Sequence, residues 1–315
     1  MGRKLGASMA SFGLQICPPE AKMTSAPRQI MPGPRALAAL GKSAEAHKYA
    51  YGHALVLAGG PGHGGAARLA ARGALRIGAG LVTVAAPPGA MAENAAQLTA
   101  IMLRPVADVS AFVELLSDER MNAICLGPGL GTGEKTRALV TAALAAERAV
   151  VLDADGLTAH ADDPASLFGQ LHAGCVLTPH GGEFAKLFPD IAENLGRKAR
   201  GATAISKAEA ARQAAERAGC TVLFKGPDTV IADHEGHVSV TDALGERAAP
   251  WLATAGSGDV LAGFITGLLA RGFAPTSAAE MAAWLHLEAA RSFGPGLIAE
   301  DLAETLPRVF AAWHI

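Results

Sequence analysis

The segment Ala253-Thr254-Ala255-Gly256-Ser257-Gly258-Asp259-Val260-Leu261-Ala262-Gly263 sets small residues ahead of an acid in the first turn of an apolar helix. The free N–H groups of Gly256, Ser257, Gly258 and Asp259 can form an anion hole for a transferring phosphoryl group. Asp259 then stands where it can accept a proton from an attacking hydroxyl. The competing reading is a helix cap, in which Asp259 only complements the dipole. A plain cap does not need glycines on both sides of a serine.

Two further glycine-rich turns follow apolar runs. Gly59-Gly60-Pro61-Gly62-His63-Gly64-Gly65-Ala66 opens a helix, and glycines there let the backbone approach an anionic ligand. No Lys-Ser/Thr pair follows, so it is not a Walker A loop, and it lacks a clean dinucleotide fingerprint. A tight turn with no ligand remains the alternative. Gly127-Pro128-Gly129-Leu130-Gly131 repeats the arrangement. Two such loops at strand ends can line one crevice of an open α/β sheet.

Smaller constellations sit at equivalent places. Asp153 and Asp155, in Asp153-Ala154-Asp155-Gly156, could hold a hydrated magnesium ion or cap the next helix. In Thr178-Pro179-His180-Gly181-Gly182-Glu183, His180 begins a helix, and Glu183 is a metal candidate or half of a capping box. Lys225-Gly226-Pro227-Asp228-Thr229 could grip an adenosine phosphate, or be a surface turn.

The elements that must position these groups are legible as an alternation. Short apolar runs at 54–58, 81–86, 123–126, 149–152, 175–177 and 221–224 are separated by Ala-rich segments. Helices are expected at 64–78, 89–97, 108–117, 134–147, 155–170, 180–188 and 206–218. Such alternation predicts βαβ units and a mostly parallel, buried sheet. Runs at 229–232 and 237–240 flank Asp233-His234-Glu235-Gly236 and predict an edge hairpin. Helices at 257–270, 276–292 and 299–305 close a single α/β domain over 45–315. Residues 1–44, with Pro18, Pro19, Pro27, Pro32 and Pro34, are expected to be a loose, dispensable leader.

Composition excludes several classes. Half of the 315 residues are hydrophobic and 18% are charged, which is core-forming material and not that of a disordered chain. The net charge of -2 argues against a dedicated nucleic-acid binder. No apolar stretch is long enough for a membrane span. Cys17, Cys125, Cys175 and Cys220 lack metal-ligand or redox spacing, and a reducing, cytoplasmic setting is expected.

Taken in order, these motifs resemble the NAD(P)H-hydrate dehydratases, which have a ribokinase-like fold. The matching residues are His47-Lys48, Gly59-Gly60, Gly64-Gly65-Ala66-Ala67, Gly78-Ala79-Gly80-Leu81-Val82, the 127–131, 152–157, 177–184 and 225–230 segments, and 256–263. The resemblance spans about 45–306. It implies a three-layer α/β fold and repair of NADHX and NADPHX, the hydrated reduced cofactors. Loss of water is coupled to hydrolysis of ADP to AMP and phosphate, or of ATP, with Mg2+. Asp259 would assist deprotonation of the ring hydroxyl, which attacks the terminal phosphoryl group; phosphate is then a good leaving group where hydroxide is a poor one.

Carried over by position, Ala66, Gly129, His180 and Asp259 would contact the hydrated dinucleotide. Lys225, Gly226, Pro227, Asp228, Thr229 and Gly258 would contact the adenine nucleotide. The resemblance further implies a homo-oligomer, compatible with a tetramer. A stand-alone dehydratase is expected, with an NAD(P)HX epimerase on a separate chain. Departures lie at Thr254-Ala255-Gly256, where the family has Thr-Gly-Gly, and at Arg247-Ala248-Ala249-Pro250-Trp251, which replaces an Asn-rich stretch. Both bear on nucleotide preference. The alternatives are a sugar or vitamin kinase of the same fold and a non-catalytic nucleotide-binding module. The Thr-Pro-His-x-Gly-Glu segment disfavours the first and the intact Asp259 the second.

Overall fold

The structure is a computed structural model, and it describes residues 26–195 and 204–315. Ten strands form one sheet: β1 (Arg28–Gln29), β2 (His53–Leu57), β3 (Leu81–Ala86), β4 (Met102–Pro105), β5 (Met121–Leu126), β6 (Ala149–Leu152), β7 (Cys175–Leu177), β8 (Thr221–Phe224), β9 (Asp228–Ala232) and β10 (Val238–Asp242). Their order is β1-β10-β9-β8-β7-β6-β5-β2-β3-β4. Every pairing from β8 through β4 is parallel, and β9 runs antiparallel to both neighbours.

Thirteen α-helices are found among the described residues: α1 (Pro34–Ala38), α2 (Gly65–Arg76), α3 (Met91–Ala95), α4 (Val109–Leu115), α5 (Glu134–Ala145), α6 (Asp155–Thr158), α7 (Pro164–Phe168), α8 (Gly181–Leu187), α9 (Pro189–Asn194), α10 (Lys207–Ala218), α11 (Ser257–Ala270), α12 (Pro275–Phe293) and α13 (Ala299–Ala312). Alternate residues of the central strands feed two cores. Val56, Val84, Cys125, Val151 and Val176 pack with α2, α11, α12 and α13. Leu55, Ile124, Leu126, Leu152 and Leu177 pack with α5, α8 and α10 on the other face. Burial on both faces is why these strands read as continuous apolar runs.

Some expectations need correction. The 155–170 helix is two helices, because Asp163 caps α7 through Ser166 N and Pro164 takes the first helical position. The last helix does not stop near 305 but continues through Pro307 to Ala312. The hairpin of β9 and β10 is not the sheet edge, since β1 pairs in parallel outside β10.

The leader is not loose throughout. Its first 25 residues lie outside the described residues, but β1 is hydrogen-bonded and Ile30 and Leu40 are 3% exposed. Arg28 also clasps both carboxylate oxygens of Glu280 at 2.7 Å.

Candidate active site

Strands β8, β7, β6, β5 and β2 are consecutive neighbours, and the 225–229, 178–183, 153–156, 127–131 and 59–66 loops leave their C-terminal ends, while the 253–263 segment comes after β10 and opens α11. The order of connection reverses between β2 and β5, the place where an open α/β sheet forms its crevice. The two glycine-rich turns meet there. A Cβ at Gly59 would overlap the Gly129 carbonyl oxygen, so only glycine allows this approach. Gly131 N–H donates to Asp155 Oδ2 at 2.8 Å, tying the β5 loop to the β6 loop.

Helices α2 and α11 bring their N-termini to the same rim. They run parallel, and a Cβ at Gly263 would overlap the Ala70 carbonyl, while one at Gly256 would lie 2.7 Å from Leu69 Cδ1. Gly256 caps α11 in a left-handed conformation at φ 89°, with no side-chain cap bond. The first-turn amides of α11 therefore have no intrahelical acceptor, and only that of Ser257 has a backbone partner, Thr254 O at 3.4 Å. Ala66 lies in the first turn of α2 on the same rim.

Asp259 is half-buried in the first turn of α11 and accepts no hydrogen bond among the described residues. Burial, then the Asp153 charge, push its carboxyl up to about 6; Lys225 opposes this and Asp155 adds to it. Lys225 Nζ bonds Asp153 Oδ1 at 2.6 Å and lies 3.8 Å from Glu183 Oε2. Burial works against the Lys225 charge, but Asp153 and Glu183 outweigh it and its pKa is raised. A Cβ on Gly258 would be 3.5 Å from that ammonium, so the β8–β9 turn abuts the anion hole.

Glu183 completes a capping box: its Oε2 accepts from His180 N at 2.8 Å, and His180 Nδ1 accepts from Gly182 N at 2.9 Å. His180 is otherwise exposed toward the rim.

The sequence profile of the NAD(P)H-hydrate dehydratases matches residues 54–308, most of the chain and every element just described. The chain belongs to that family. A bifunctional NAD(P)H-hydrate repair enzyme Nnr from Gloeobacter violaceus is 39% identical over 282 residues, covering 87% of this chain and 52% of the relative. That from Salinibacter ruber is 37% identical over 85% of this chain and 49% of its own length. The chain thus spans about half the length of the curated relatives it matches. The ADP/ATP-dependent NAD(P)H-hydrate dehydratase of Bacillus subtilis, co-crystallized with ATP/Mg2+, superposes with a TM-score of 0.71 at 29% identity, over 88% of this chain and 96% of that one. A ribokinase-like superfamily protein of Enterococcus faecalis gives a TM-score of 0.71 at 22% identity over 88% of this chain and 94% of its own, which supports the ribokinase-like fold alone.

In this member of the dehydratase family the expected metal set does not assemble. Asp153 is taken by Lys225 and by Thr178 Oγ1 at 2.8 Å, Asp155 by the Gly131 amide, and Glu183 by the His180 amide. Ala154, at φ 48°, holds the backbone between the two aspartates in a conformation uncommon for a residue with a Cβ. The only three-residue ligand grouping among the described residues is Asp233, Glu235 and His237, on the distant hairpin.

Two positioning groups went unread in the sequence. Lys207 Nζ donates to Lys225 O, Asp228 O and Asp228 Oδ1 at 2.9–3.1 Å, fixing the 225–229 turn, so the Asp228 side chain is already engaged. Thr229 Oγ1 closes the same turn on Gly226 O at 2.7 Å, with Pro227 at its tip. His286 is buried, and its Nε2 lies 2.9 Å from Ser257 O. Burial lowers its pKa to about 4, so the neutral ring donates to that carbonyl and braces the start of α11. No motif signals either residue: each acts through a fold contact 18 or more positions away.

Proposed function

We propose that this chain is an ADP-dependent (S)-NAD(P)H-hydrate dehydratase, converting NADHX and NADPHX to NADH and NADPH as ADP becomes AMP and phosphate. The observation that carries the reading is Asp259: an unpartnered carboxylate at about 6, in the first turn of a helix whose N-terminus lies at the same rim. Near neutral pH such a group is ionised yet basic enough to accept a hydroxyl proton. The freed oxygen would attack the terminal phosphoryl group, with AMP leaving and charge met by the amides of Gly256, Ser257 and Gly258. Phosphate then departs from the ring carbon and the neighbouring carbon loses a proton, which restores the double bond.

The dinucleotide would lie against Ala66, Gly129 and His180. The nucleotide would lie against the 225–229 turn and Gly258. Asp153, Asp155 and Glu183 are committed elsewhere and do not fit a direct Mg2+ cage. Mg2+ would enter on the phosphates with its own waters and neutralise their charge. That need is plain from the charges present: Asp153, Glu183 and Asp259 surround one ammonium. An NAD(P)HX epimerase would supply the (S) epimer. A homo-oligomer is part of the same proposal. The three buried free thiols suit a reducing cytoplasm.

The test is recovery of reduced-nicotinamide absorbance when NADHX, MgCl2 and ADP are mixed with the protein. Recovery with ATP alone would replace ADP as co-substrate. Failure with both would remove the dehydratase reading, and accumulation of a stable phosphorylated product would mark a kinase.

A further inference from the structure

A groove among the described residues runs along α2, with a volume of about 750 Å³, adequate for a nucleotide-sized group. It is continuous with the candidate site. Gly65, next to Ala66, is at one end, and Leu69, which lines it, is the side chain that crowds Gly256 at the mouth of the anion hole. Arg68, Arg72 and Arg76 recur every four residues on one face, reaching about 10 Å beyond Leu69 by helix rise. Leu98 and Ile101 supply an apolar wall.

These arginines are not balanced. Arg72 and Arg76 share the one carboxylate of Glu304. Glu300 is the acid lining the groove. Arg68 has no carboxylate within 4 Å among the described residues. Its Nη1 is held at 3.3 Å by the Oδ1 of Asn94, a fully buried amide whose Nδ2 donates to Ala90 O at 2.8 Å. The nearby Glu93 accepts from the Gly62 amide at 2.9 Å through Oε2, while its Oε1 is buried near the Arg68 guanidinium without a hydrogen bond to it. A half-buried guanidinium steered by a neutral amide keeps free donors for an incoming anion, and a guanidinium matches phosphate in bidentate geometry.

We propose that Arg68, supported by Arg72, binds the phosphomonoester on the adenosine ribose of the dinucleotide, so that the chain selects NADPHX over NADHX. This rests on the proposed function, with the nicotinamide end at Asp259. The adenine nucleotide is read onto the β8–β9 turn, which leaves the α2 side to the dinucleotide. The two dinucleotides differ by this one phosphate, and a site built for a charged group rejects a ligand lacking it.

The experiment compares wild type, Arg68→Gln and Arg72→Gln on NADPHX and NADHX, with binding of non-hydrated NADPH and NADH followed by calorimetry. Wild type is expected to favour NADPHX in kcat/KM by about tenfold or more. Arg68→Gln should lose that preference through KM, with kcat and the NADHX constants unchanged. Arg72→Gln should do the same more weakly, and it decides the matter should Arg68→Gln not fold. Equal kcat/KM in wild type, or equal losses on both substrates, would overturn the assignment. If neither substrate turns over, the dehydratase reading fails and calorimetry decides this one. Tighter NADPH than NADH binding, abolished in Arg68→Gln, supports it; equal binding overturns it.

Discussion

The ammonium of Lys225 sits 2.6 Å from Oδ1 of Asp153, joining the end of β8 to the end of β6 across β7. Its only charge partners among the described residues are carboxylates, with Glu183 beyond Asp153 and Asp259 within electrostatic reach. Lys225 is therefore a brace for the crevice floor as well as a cation beside the anion hole.

Lys225→Met removes the one charge that lowers the Asp259 pKa. The acid limb of kcat/KM should move to higher pH than in wild type, and affinity for ADP should fall. Leaving Asp153 buried without its partner should also cost about 3 kcal/mol of stability. A pH–rate profile with an unmoved acid limb would separate Lys225 from Asp259.

Asp259→Asn should lower turnover by about 10²–10⁴-fold with little change in nucleotide affinity. Stability should move the other way. The carboxyl titrates at about 6 in the folded chain against 3.8 when free. Between those values the unfolded chain has released a proton that the folded chain retains, so stability falls as pH rises through this window. Above it, the ionised buried group costs up to about 3 kcal/mol. The Asn variant should melt higher than wild type at pH 8 and alike at pH 3.5. An Asp259 serving only as a cap predicts unchanged turnover, since Asn caps nearly as well.

A chain beginning at Pro34 should lose β1 and the burial of Ile30, worth about 2 kcal/mol. Its melting midpoint should drop by several degrees at unchanged kcat, because the segment lies at the far edge from the crevice. An unchanged midpoint would mean that the packing of β1 on β10 contributes nothing.

Gly263→Ala puts a methyl into the Ala70 carbonyl and must push α2 from α11. Overpacking of this kind costs about 1–3 kcal/mol. Turnover at a temperature where the variant is fully folded should fall as well, because the first turns of both helices face the crevice. Retained turnover would show that their spacing does not matter to the reaction.

Much of this was legible in the sequence. Strands buried on both faces announce themselves as apolar runs, and the motif loops follow directly from them. Edge strands do not: β4 ends in Arg104-Pro105 and is largely exposed, and β1 is two residues long. Propensity also misjudged prolines in both directions, since Pro164 starts a helix that looked continuous and Pro307 fails to end one. Within the site, the glycine turns and the place of Asp259 in the first turn of α11 were readable because they depend on local sequence. The capping box of Glu183 was also among the readings the sequence offered, whereas the partners of Asp153 and Asp155 were not. A carboxylate beside a glycine reads alike whether its partner is a metal or an amide, and only the tertiary contacts of Lys225 and Gly131 decide.

The parallel seam of α2 and α11 has a further consequence. Gly263 lies directly against the Ala70 carbonyl, and Gly267 lies against the Ala74 backbone with the Ile77 methyl beside it. Where backbone meets backbone, as at Gly263, there is no side chain to repack, and a substitution either fits the gap or breaks it. Divergence of substrate preference within this architecture therefore has to proceed through loop ends and outward helix faces, while the distance between the two helix starts is inherited unchanged.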